Sequence, residues 1–259
     1  GGMNERSLVI ELLWLDEARY PDPDRRQSLG VLEWIQYQLD TAATVQEVLD
    51  SDRRVRIDGE VPLHYLVSDA GGRAATIEFL GGRLVAHTGA SLPVAVLTNS
   101  TYKDSLAFLQ SRGGRMPAGS GSKERFARAG LRVSALAGHR GADMVPTLFG
   151  ILDDVSQPNT RWTVVYDQAQ RVIHFRTDVH RPVRYVKMEE IDFRCASGAR
   201  LLDIDTRLQG DVTMKFKPYT TAANLAFITR TYAATSVTRD TPASTITTIA
   251  NHPARATCM

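Results

Sequence analysis

Side chains able to do chemistry are scattered along this chain and form no widespread catalytic motif. The sequence has no GxGxxG, Walker or GxSxG segment, and no CxxC or HExxH pattern that would hold zinc. A Ser/His/Asp triad can be drawn in many ways, so it has no value as evidence. The histidines do not recur at the spacing of metal ligands, and we assign them structural or surface roles; they are His64, His87, His139, His174, His180 and His252.

Asn99 is a candidate because of its place in the chain. It follows the end of a predicted strand, at the point where a loop begins. Functional residues often lie at such points, because a rigid element can present a side chain from its end. The alternative is that Asn99 is a turn or helix-cap residue. Residues 99–101 also fit the glycosylation sequon, which matters only for a eukaryotic secreted chain.

The composition is that of a folded protein with nearly balanced charge. Of 259 residues, 43% are hydrophobic and 23% are charged, and the formal net charge is +2. These values exclude bulk disorder and give no basic field for nucleic acid or a membrane surface. No apolar run is long enough for a transmembrane helix. Cys195 and Cys258 allow one disulfide, which cannot frame a fold of this size.

The elements that must position these residues begin with closely spaced strands. Residues 8–15 form a nearly continuous apolar run, which predicts a buried strand. A meander with glycine turns is predicted from strands at residues 61–69, 75–80, 83–87 and 93–98. Short connections of this kind favour antiparallel pairing.

Helical patterns precede and follow this meander. A first helix is predicted from about Ser28, and residues 44–47 form a capping box that opens a second, short helix. Later helices are predicted at residues 102–110, 123–137, 143–152 and 221–232, and later strands at residues 162–167, 171–176 and 183–187. Residues 234–259 are expected to form a loosely ordered tail. The order of elements favours a single layered α+β domain over residues 1–259.

Five segments, in order along the chain, give it a likeness to a known family. They are residues 2–8 (GMNERSL), 64–69 with 77–78 (HYLVSD and IE), 96–100 (VLTNS), 117–129 (PAGSGSKERFARA), and 162–167 with 175–177 (WTVVYD and FRT). The set resembles the choloylglycine hydrolases, a group of linear amide C–N hydrolases that includes penicillin V acylases and bile salt hydrolases. The likeness spans most of residues 2–192 and is weaker beyond them.

This resemblance implies the N-terminal-nucleophile fold, an αββα four-layer sandwich with antiparallel sheets. In the family, a cysteine at the head of the mature chain attacks an amide, and its own α-amine serves as the base. An α-amine titrates near ~8, so it can accept the thiol proton at neutral pH. The oxyanion that forms on the amide needs fixed donors. Because the thiol, the amine and these donors suffice, no metal or organic cofactor is implied.

The resemblance assigns roles to three residues. Asn99 matches the oxyanion-hole asparagine, whose side-chain NH2 donates to the developing O⁻. Arg125 matches the arginine that tunes the nucleophile electrostatically, the alternative being a surface helix arginine. Trp14 takes a position usually held by Asn or Tyr, whose backbone N–H is the second oxyanion donor; its alternative is a core tryptophan. A tryptophan there favours aromatic or acyl-chain amides over bile salts. Asn4 and Glu5 match the family signature and are expected to be structural.

The nucleophile is the main departure from the family. The family's N-terminal cysteine lies well before the segment that matches residues 2–8, and neither Cys195 nor Cys258 takes that place. The chain is then a fragment, a proteolytic product whose other piece stays bound, or a truncated relative. A sheet without its first strands exposes an apolar edge. We therefore expect homo-oligomers, aggregation, or association with a missing N-terminal segment.

Three hypotheses about function remain open. The first is the larger part of a hydrolase that acts on small-molecule amides of the penicillin V, N-acyl-homoserine lactone or conjugated bile acid type. For such an enzyme we expect no nucleic acid or membrane partner, and a place in the bacterial cytoplasm or periplasm. The second is a truncated, non-catalytic relative that binds a ligand or a partner. The third is an unrelated α+β protein with chance similarities.

Overall fold

Groups of strands and groups of helices follow one another along the computed structural model, which describes residues 1–136, 138, 144–236 and 238–255. The strands are β1 (Gly2–Met3), β2 (Val9–Trp14), β3 (Gln27–Leu29), β4 (Val55–Ile57), β5 (Leu63–Ser68), β6 (Ala74–Leu80), β7 (Arg83–Thr88), β8 (Trp162–Asp167), β9 (Val172–Thr177), β10 (Arg184–Lys187), β11 (Arg200–Leu201), β12 (Gly210–Asp211) and β13 (Lys217–Pro218). The helices are α1 (Val31–Thr41), α2 (Val45–Ser51), α3 (Tyr102–Ser111), α4 (Ser122–Ala135), α5 (Met144–Asp154), α6 (Thr221–Ala234) and α7 (Ala243–Arg255).

The first sheet carries the predicted meander, with the strand order β1-β2-β5-β6-β7. All neighbouring strands in it are antiparallel, as predicted; Leu12 lies opposite Tyr65, for example. The turn between β6 and β7 is made by Gly81 and Gly82, whose φ angles are +57° and +76°. Such angles suit glycine, so this two-residue turn fixes the register of the hairpin.

The last predicted strand of the meander, residues 93–98, is not a strand. Val96 and Leu97 are buried, but the backbone of the segment joins no sheet in the described part of the chain. Side chains hold it instead, since the Tyr102 hydroxyl donates to Val94 O at 2.9 Å and His64 Nε2 donates to Thr98 O at 2.6 Å. A buried extended segment held by side chains has the same sequence pattern as a strand, which explains the wrong prediction.

Helices α1 and α2 cover one face of the first sheet. Trp34 of α1 and Val48 of α2 are buried against Tyr65 and Phe79. The ring centroids of Trp34 and Tyr65 lie 4.5 Å apart. These four side chains belong to the largest apolar core among the described residues.

The starts of these two helices differ in how well the sequence predicted them. Thr44 Oγ1 accepts a hydrogen bond from Glu47 N at 3.2 Å, and the Glu47 carboxylate accepts one from Thr44 N at 3.1 Å, so the predicted capping box is confirmed. Helix α1 starts at Val31 and not at Ser28. The reason is that Gln27–Leu29 forms β3, which pairs with β4 in parallel.

Helices α3 and α4 pack on the opposite face of the first sheet. Leu13 and Leu66 from the sheet contact the cluster that contains Tyr102 of α3 and Phe126 of α4. The Tyr102 and Phe126 rings meet edge to face, with 5.8 Å between centroids. Both helices lie where the sequence predicted them. Ala137, the predicted last residue of α4, and Asp143, the predicted first residue of the next helix, lie outside the described residues.

A second sheet, with the order β12-β10-β9-β8, adjoins the first. Strands β8 and β9 form the predicted hairpin, and β10 pairs with β12 in parallel. The two sheets meet where Val9 packs near Met188 and Tyr166, and where Gln168 Nε2 donates to Ser7 O at 2.7 Å. The result is the predicted α+β fold with predominantly antiparallel sheets; that residues 1–259 form one domain stays a prediction.

The C-terminal segment corrects the expectation of a loosely ordered tail, because residues 243–255 form helix α7. Ala250 is fully buried, and the Tyr219 hydroxyl donates to its carbonyl oxygen. The threonines that suggested a loose end are accommodated by the helix; Thr247 Oγ1 donates to Ala243 O at 2.8 Å. Residues 256–259 of the predicted tail lie outside the described residues.

Asn4 has a structural role, in line with the sequence. Its Nδ2 donates to Leu39 O and Ala42 O, both at 2.8 Å, and its Oδ1 accepts from Leu8 N at 2.9 Å. One side chain therefore satisfies the carboxyl end of α1 and shapes the turn between β1 and β2.

Candidate active site

Three residues singled out by the sequence meet at one end of the first sheet. Asn99 Nδ2 donates to Trp14 O at 3.0 Å, and Arg125 Nη2 donates to Asn99 Oδ1 at 2.8 Å. Trp14 is the last residue of β2, Asn99 precedes α3, and Arg125 lies in the first turns of α4. Elements that are distant in sequence thus bring together Trp14, Asn99 and Arg125, the residues to which the family resemblance assigns roles.

The backbone of Trp14 faces away from β5. Leu15 N donates to Pro62 O at 3.0 Å, so Leu15 and Pro62 continue the hydrogen-bonded pairs of the β2–β5 ladder. In an antiparallel strand the neighbouring residue directs both its N–H and its C=O to the other side. The N–H of Trp14 therefore lies on the same edge of β2 as the carbonyl oxygen that Asn99 contacts.

The Asn99 amide is oriented by two groups of opposite polarity. Its oxygen faces the Arg125 guanidinium, which can only donate, and its nitrogen faces the Trp14 carbonyl, which can only accept. The contact with Trp14 uses one of the two N–H groups of the amide. Within the described residues, the second N–H has no hydrogen-bond partner and is available to a ligand oxygen.

Arg125 brings a positive charge to Asn99. Its Nε donates to Ser120 O at 3.2 Å, and none of the described carboxylates forms an ion pair with it. Burial lowers the pKa of its guanidinium, and the positive charge of Arg128 lowers it further. A guanidinium keeps its proton under such perturbation, so Arg125 is a partly buried cation without a counter-charge in the described part of the chain.

Ser122 fixes the backbone on both sides of the Thr98–Asn99 peptide. Its Oγ accepts from Asn99 N at 2.9 Å and from Ser100 Oγ at 2.9 Å, and Thr98 Oγ1 donates to Ser122 O at 3.0 Å. Ser122 opens α4, and Arg125 follows three residues later on the same side of the helix. The start of α4 therefore positions both Asn99 and its cationic partner.

The Trp14 side chain presents apolar surface beside these groups. It is 49% exposed, which excludes the alternative of a core tryptophan. Its Nε1 donates to Asp16 Oδ1 at 2.6 Å, so the ring is held in one orientation. A fixed, exposed indole next to polar donors is suited to contact an aromatic or aliphatic part of a ligand.

The other chemical candidates lie elsewhere. Cys195 belongs to a short helical turn after β10 and is disulfide-bonded, while Cys258 and His139 lie outside the described residues. Within the described ranges, no group of three or more His, Cys, Asp or Glu side chains could hold a metal ion. In the same ranges, no helix has both the length and the apolar character needed to span a bilayer.

Two residues that hold Asn99 were not assigned functional roles from the sequence. His64, expected to be structural, contacts the Thr98 carbonyl, and Ser122 contacts the Asn99 N–H. Both act through backbone atoms far away in sequence. The one available signal is that both lie inside segments that carry the family resemblance.

Comparisons with known proteins bear on the family. The model of the linear amide C–N hydrolases, choloylglycine hydrolase family, matches residues 1–117. The chain is 29% identical over 267 residues to penicillin V acylase of Pectobacterium atrosepticum, a match that spans 84% of this chain and 70% of that protein.

Solved structures show the same relationship. Penicillin V acylase from Agrobacterium tumefaciens matches with a TM-score of 0.76 and 27% identity, over 85% of this chain and 77% of that one. A variant of conjugated bile acid hydrolase from Clostridium perfringens matches with a TM-score of 0.65 and 18% identity, over 84% of this chain and 76% of that one, which shows the fold alone. The chain therefore has an N-terminal-nucleophile hydrolase fold, and it is similar in sequence and structure to the choloylglycine hydrolase family of linear amide C–N hydrolases.

Proposed function

We propose that this chain is the larger part of a cysteine N-terminal-nucleophile hydrolase that cleaves the linear C–N bond of small amides. The observation that carries the proposal is the contact of Asn99 with both Trp14 O and Arg125. These contacts bring together the amide of Asn99, the free backbone edge of β2 at Trp14 and the Arg125 guanidinium, which has no counter-charge among the described residues. Acyl transfer requires these groups around a carbonyl that becomes an oxyanion.

Asn99 and Trp14 supply the oxyanion donors in this proposal. The second N–H of the Asn99 amide and the backbone N–H of Trp14 lie on the same side of β2, where both can donate to one ligand oxygen. They are held before the substrate arrives, so no reorganisation is needed as the negative charge develops. The role of Trp14 depends on its backbone and therefore survives a change of side chain.

Arg125 supplies the electrostatic part. Its positive charge stabilises a nearby thiolate relative to the thiol, and so lowers the pKa of the nucleophile. It also fixes the Asn99 oxygen, which keeps the amide nitrogen directed toward the reacting carbonyl. The same guanidinium thus serves both the nucleophile and the oxyanion hole.

The nucleophile in this proposal is a cysteine that precedes Gly1 in the native protein. Strand β1 is antiparallel to β2, with Gly2 opposite Ile10, so the chain before Gly2 runs along β2 toward Trp14. That direction leads to the end of the sheet where Asn99 lies. The match to 70% of the length of the Pectobacterium acylase leaves room for such a segment.

The reaction needs only the α-amine, the thiol, the two oxyanion donors and water. The α-amine takes the thiol proton, the thiolate sulfur bonds to the amide carbon, and the carbonyl oxygen becomes the oxyanion held by Asn99 and Trp14. The C–N bond then breaks, and the leaving nitrogen takes the proton from the ammonium. Water attacks the resulting thioester in a second, similar cycle and releases the acid.

The substrates proposed are amides with an aromatic or extended acyl group, such as penicillin V or an N-acyl-homoserine lactone. The exposed indole of Trp14 beside Asn99 supports this choice, because it offers apolar contact area. Conjugated bile acids belong to the same class of linear amides and remain a comparison substrate.

The experiment is to purify the protein from its source, determine its N-terminus by intact mass and N-terminal sequencing, and assay it with penicillin V, an N-acyl-homoserine lactone and glycocholate. We expect a mature chain that begins with cysteine before Gly1 and hydrolyses at least one of these amides. A native chain that lacks this cysteine and leaves all three intact would contradict the proposal and favour a non-catalytic binding module.

A further inference from the structure

A buried pair of ionisable side chains, His64 and Glu78, contacts the backbone next to Asn99. His64 on β5 and Glu78 on β6 are both fully buried, on the face of the first sheet that α3 and α4 cover. His64 Nδ1 lies 3.1 Å from Glu78 Oε1. Burying two ionisable side chains in an apolar core is costly unless their contacts are good, and an apolar pair of similar volume is often as stable.

His64 holds the carbonyl that precedes Asn99. Its Nε2 lies 2.6 Å from Thr98 O. A carbonyl oxygen only accepts, so Nε2 carries the proton and donates. The backbone of residues 93–98 joins no sheet in the described part of the chain, and this bond takes the place of a strand contact.

Glu78 holds the start of the helix that follows Asn99. Its Oε1 accepts from Tyr102 N at 2.8 Å, at the first residue of α3. Its Oε2 is buried without a hydrogen-bond partner among the described residues, and His87 Nε2 lies 3.9 Å from it. One pair therefore fixes the chain on both sides of Asn99, the Thr98 carbonyl before it and the Tyr102 amide after it.

We infer that the His64–Glu78 pair is a positioning device for the Asn99 amide. Both side chains are fully buried, so the pair has no surface on which to contact a substrate. Together with Ser122 it sets where the Asn99 backbone lies, so that Arg125 and the Trp14 carbonyl can then orient the side chain. The inference rests on the proposed function, because the position of Asn99 affects the rate only if Asn99 stabilises the oxyanion.

Two neutral substitutions of His64 separate positioning from simple core stability. In His64→Gln the amide nitrogen is as many bonds from Cβ as His Nε2, so it can still donate to Thr98 O. In His64→Asn the amide reaches only the position of Nδ1, so it can contact Glu78 and not Thr98. Both variants remove the imidazole and leave a polar amide in the core, and His174→Gln on β9 is the control for a remote histidine.

The measurement is kcat and KM on the full-length protein, with the folded fraction of each variant taken from circular dichroism. A misplacement of about 1 Å can cost about 10²-fold in rate. We therefore expect His64→Asn to lose about 10²-fold in kcat with little change in KM, and His64→Gln to stay close to wild type. Equal losses in the two variants, or full kcat in His64→Asn, would overturn the inference.

Two further measurements keep the test decisive. If His64→Asn does not fold, Glu78→Gln and Glu78→Ala replace the pair, and only the alanine variant should lose kcat strongly because it removes the acceptor for Tyr102 N. If the wild-type protein hydrolyses no amide, the proposed function fails while the inference is still tested by the ¹⁵N–¹H resonances of the Asn99 side chain. Their shift in His64→Asn but not in His64→Gln would support positioning, and unchanged resonances in both would refute it.

Discussion

Asn99 illustrates how a site is determined at the scale of single residues. Its amide could face either way, but Arg125 accepts no hydrogen bond and the Trp14 carbonyl donates none, so one orientation remains. The resemblance of the sequence selected all three residues. It could not select His64 or Ser122 as partners of Asn99, because they act on backbone atoms through contacts that only the folded chain creates.

Arg125 gives a prediction about pH. Loss of its positive charge should raise the pKa of the proposed nucleophilic thiol, because the thiolate loses a favourable charge. In Arg125→Gln, the acidic limb of kcat/KM should therefore move to higher pH, and in Arg125→Lys it should move less. The measurement is the pH profile of kcat/KM, with Arg132→Gln, at an exposed arginine that pairs with Asp154, as the control. An acidic limb that is identical in Arg125→Gln and wild type would show that Arg125 does not act on the nucleophile.

Trp14 gives a prediction about substrate choice. Trp14→Ala keeps the backbone N–H but removes apolar contact area. A loss of roughly 1–2 kcal/mol in substrate binding free energy corresponds to a roughly tenfold increase in KM. We expect this increase for phenoxyacetyl amides and little change for acetyl amides, with kcat largely preserved in both. Trp162→Ala, also on an exposed indole, is the matched control. Equal effects on the two acyl groups would exclude Trp14 from acyl recognition.

At the scale of elements, local signals were predictable from the sequence and long-range ones were not. The capping box of Thr44 and Glu47 is a local signal, and it predicts the start of α2. The apolar pattern of residues 93–98 predicts a strand and does not reveal that side-chain contacts replace strand pairing there. The helix at residues 243–255 was missed because its stability depends on packing against Tyr219 and α6.

Asp69 links two elements and predicts a pH dependence of stability. Burial opposes ionisation, but hydrogen bonds from Val45 N and Arg73 N outweigh it and hold the pKa of Asp69 below its ordinary value. The stabilisation is thus present above the unfolded pKa and disappears as the pH falls through the lower, folded pKa. Asp69→Asn should lower the free energy of unfolding by about 1–3 kcal/mol at neutral pH, because only one of the two oxygens that accept from Val45 N and Arg73 N remains.

Urea unfolding at neutral and acidic pH checks this prediction. The difference between Asp69→Asn and wild type should shrink as the pH falls below about 4, where the carboxyl is protonated in the unfolded chain. Asp22→Asn, at an exposed loop position, is the control. A difference that stays constant with pH would show that the charge of Asp69 is not the cause.

At the scale of the whole molecule, the first sheet has one edge that β1 covers only in part. β1 pairs with Val9 and Ile10, and the rest of β2 has no strand on that side within the described residues. The α+β class and the antiparallel meander were predictable from the alternation of short strands and glycine turns. How the second sheet meets the first was not, because that contact depends on single pairs such as Gln168 with Ser7.

From this partly unpaired edge of β2 we predict that the chain associates with other copies of itself. A strand with free backbone donors and acceptors pairs readily with another chain. The polypeptide of residues 1–259 should therefore self-associate in size-exclusion chromatography, whereas a chain extended by the proposed N-terminal segment should self-associate less. A monodisperse monomer of residues 1–259 at high concentration would contradict this.

The most direct test of the central claim is the hydrolysis of penicillin V, or of whichever amide proves to be the substrate, by the native protein and its Asn99→Ala variant. Loss of one oxyanion donor should reduce kcat by about 10²–10³-fold with little change in KM. Asn159→Ala, in an exposed turn, is the matched control and should keep full activity. An Asn99→Ala variant that folds and retains wild-type kcat would contradict the assignment of this site.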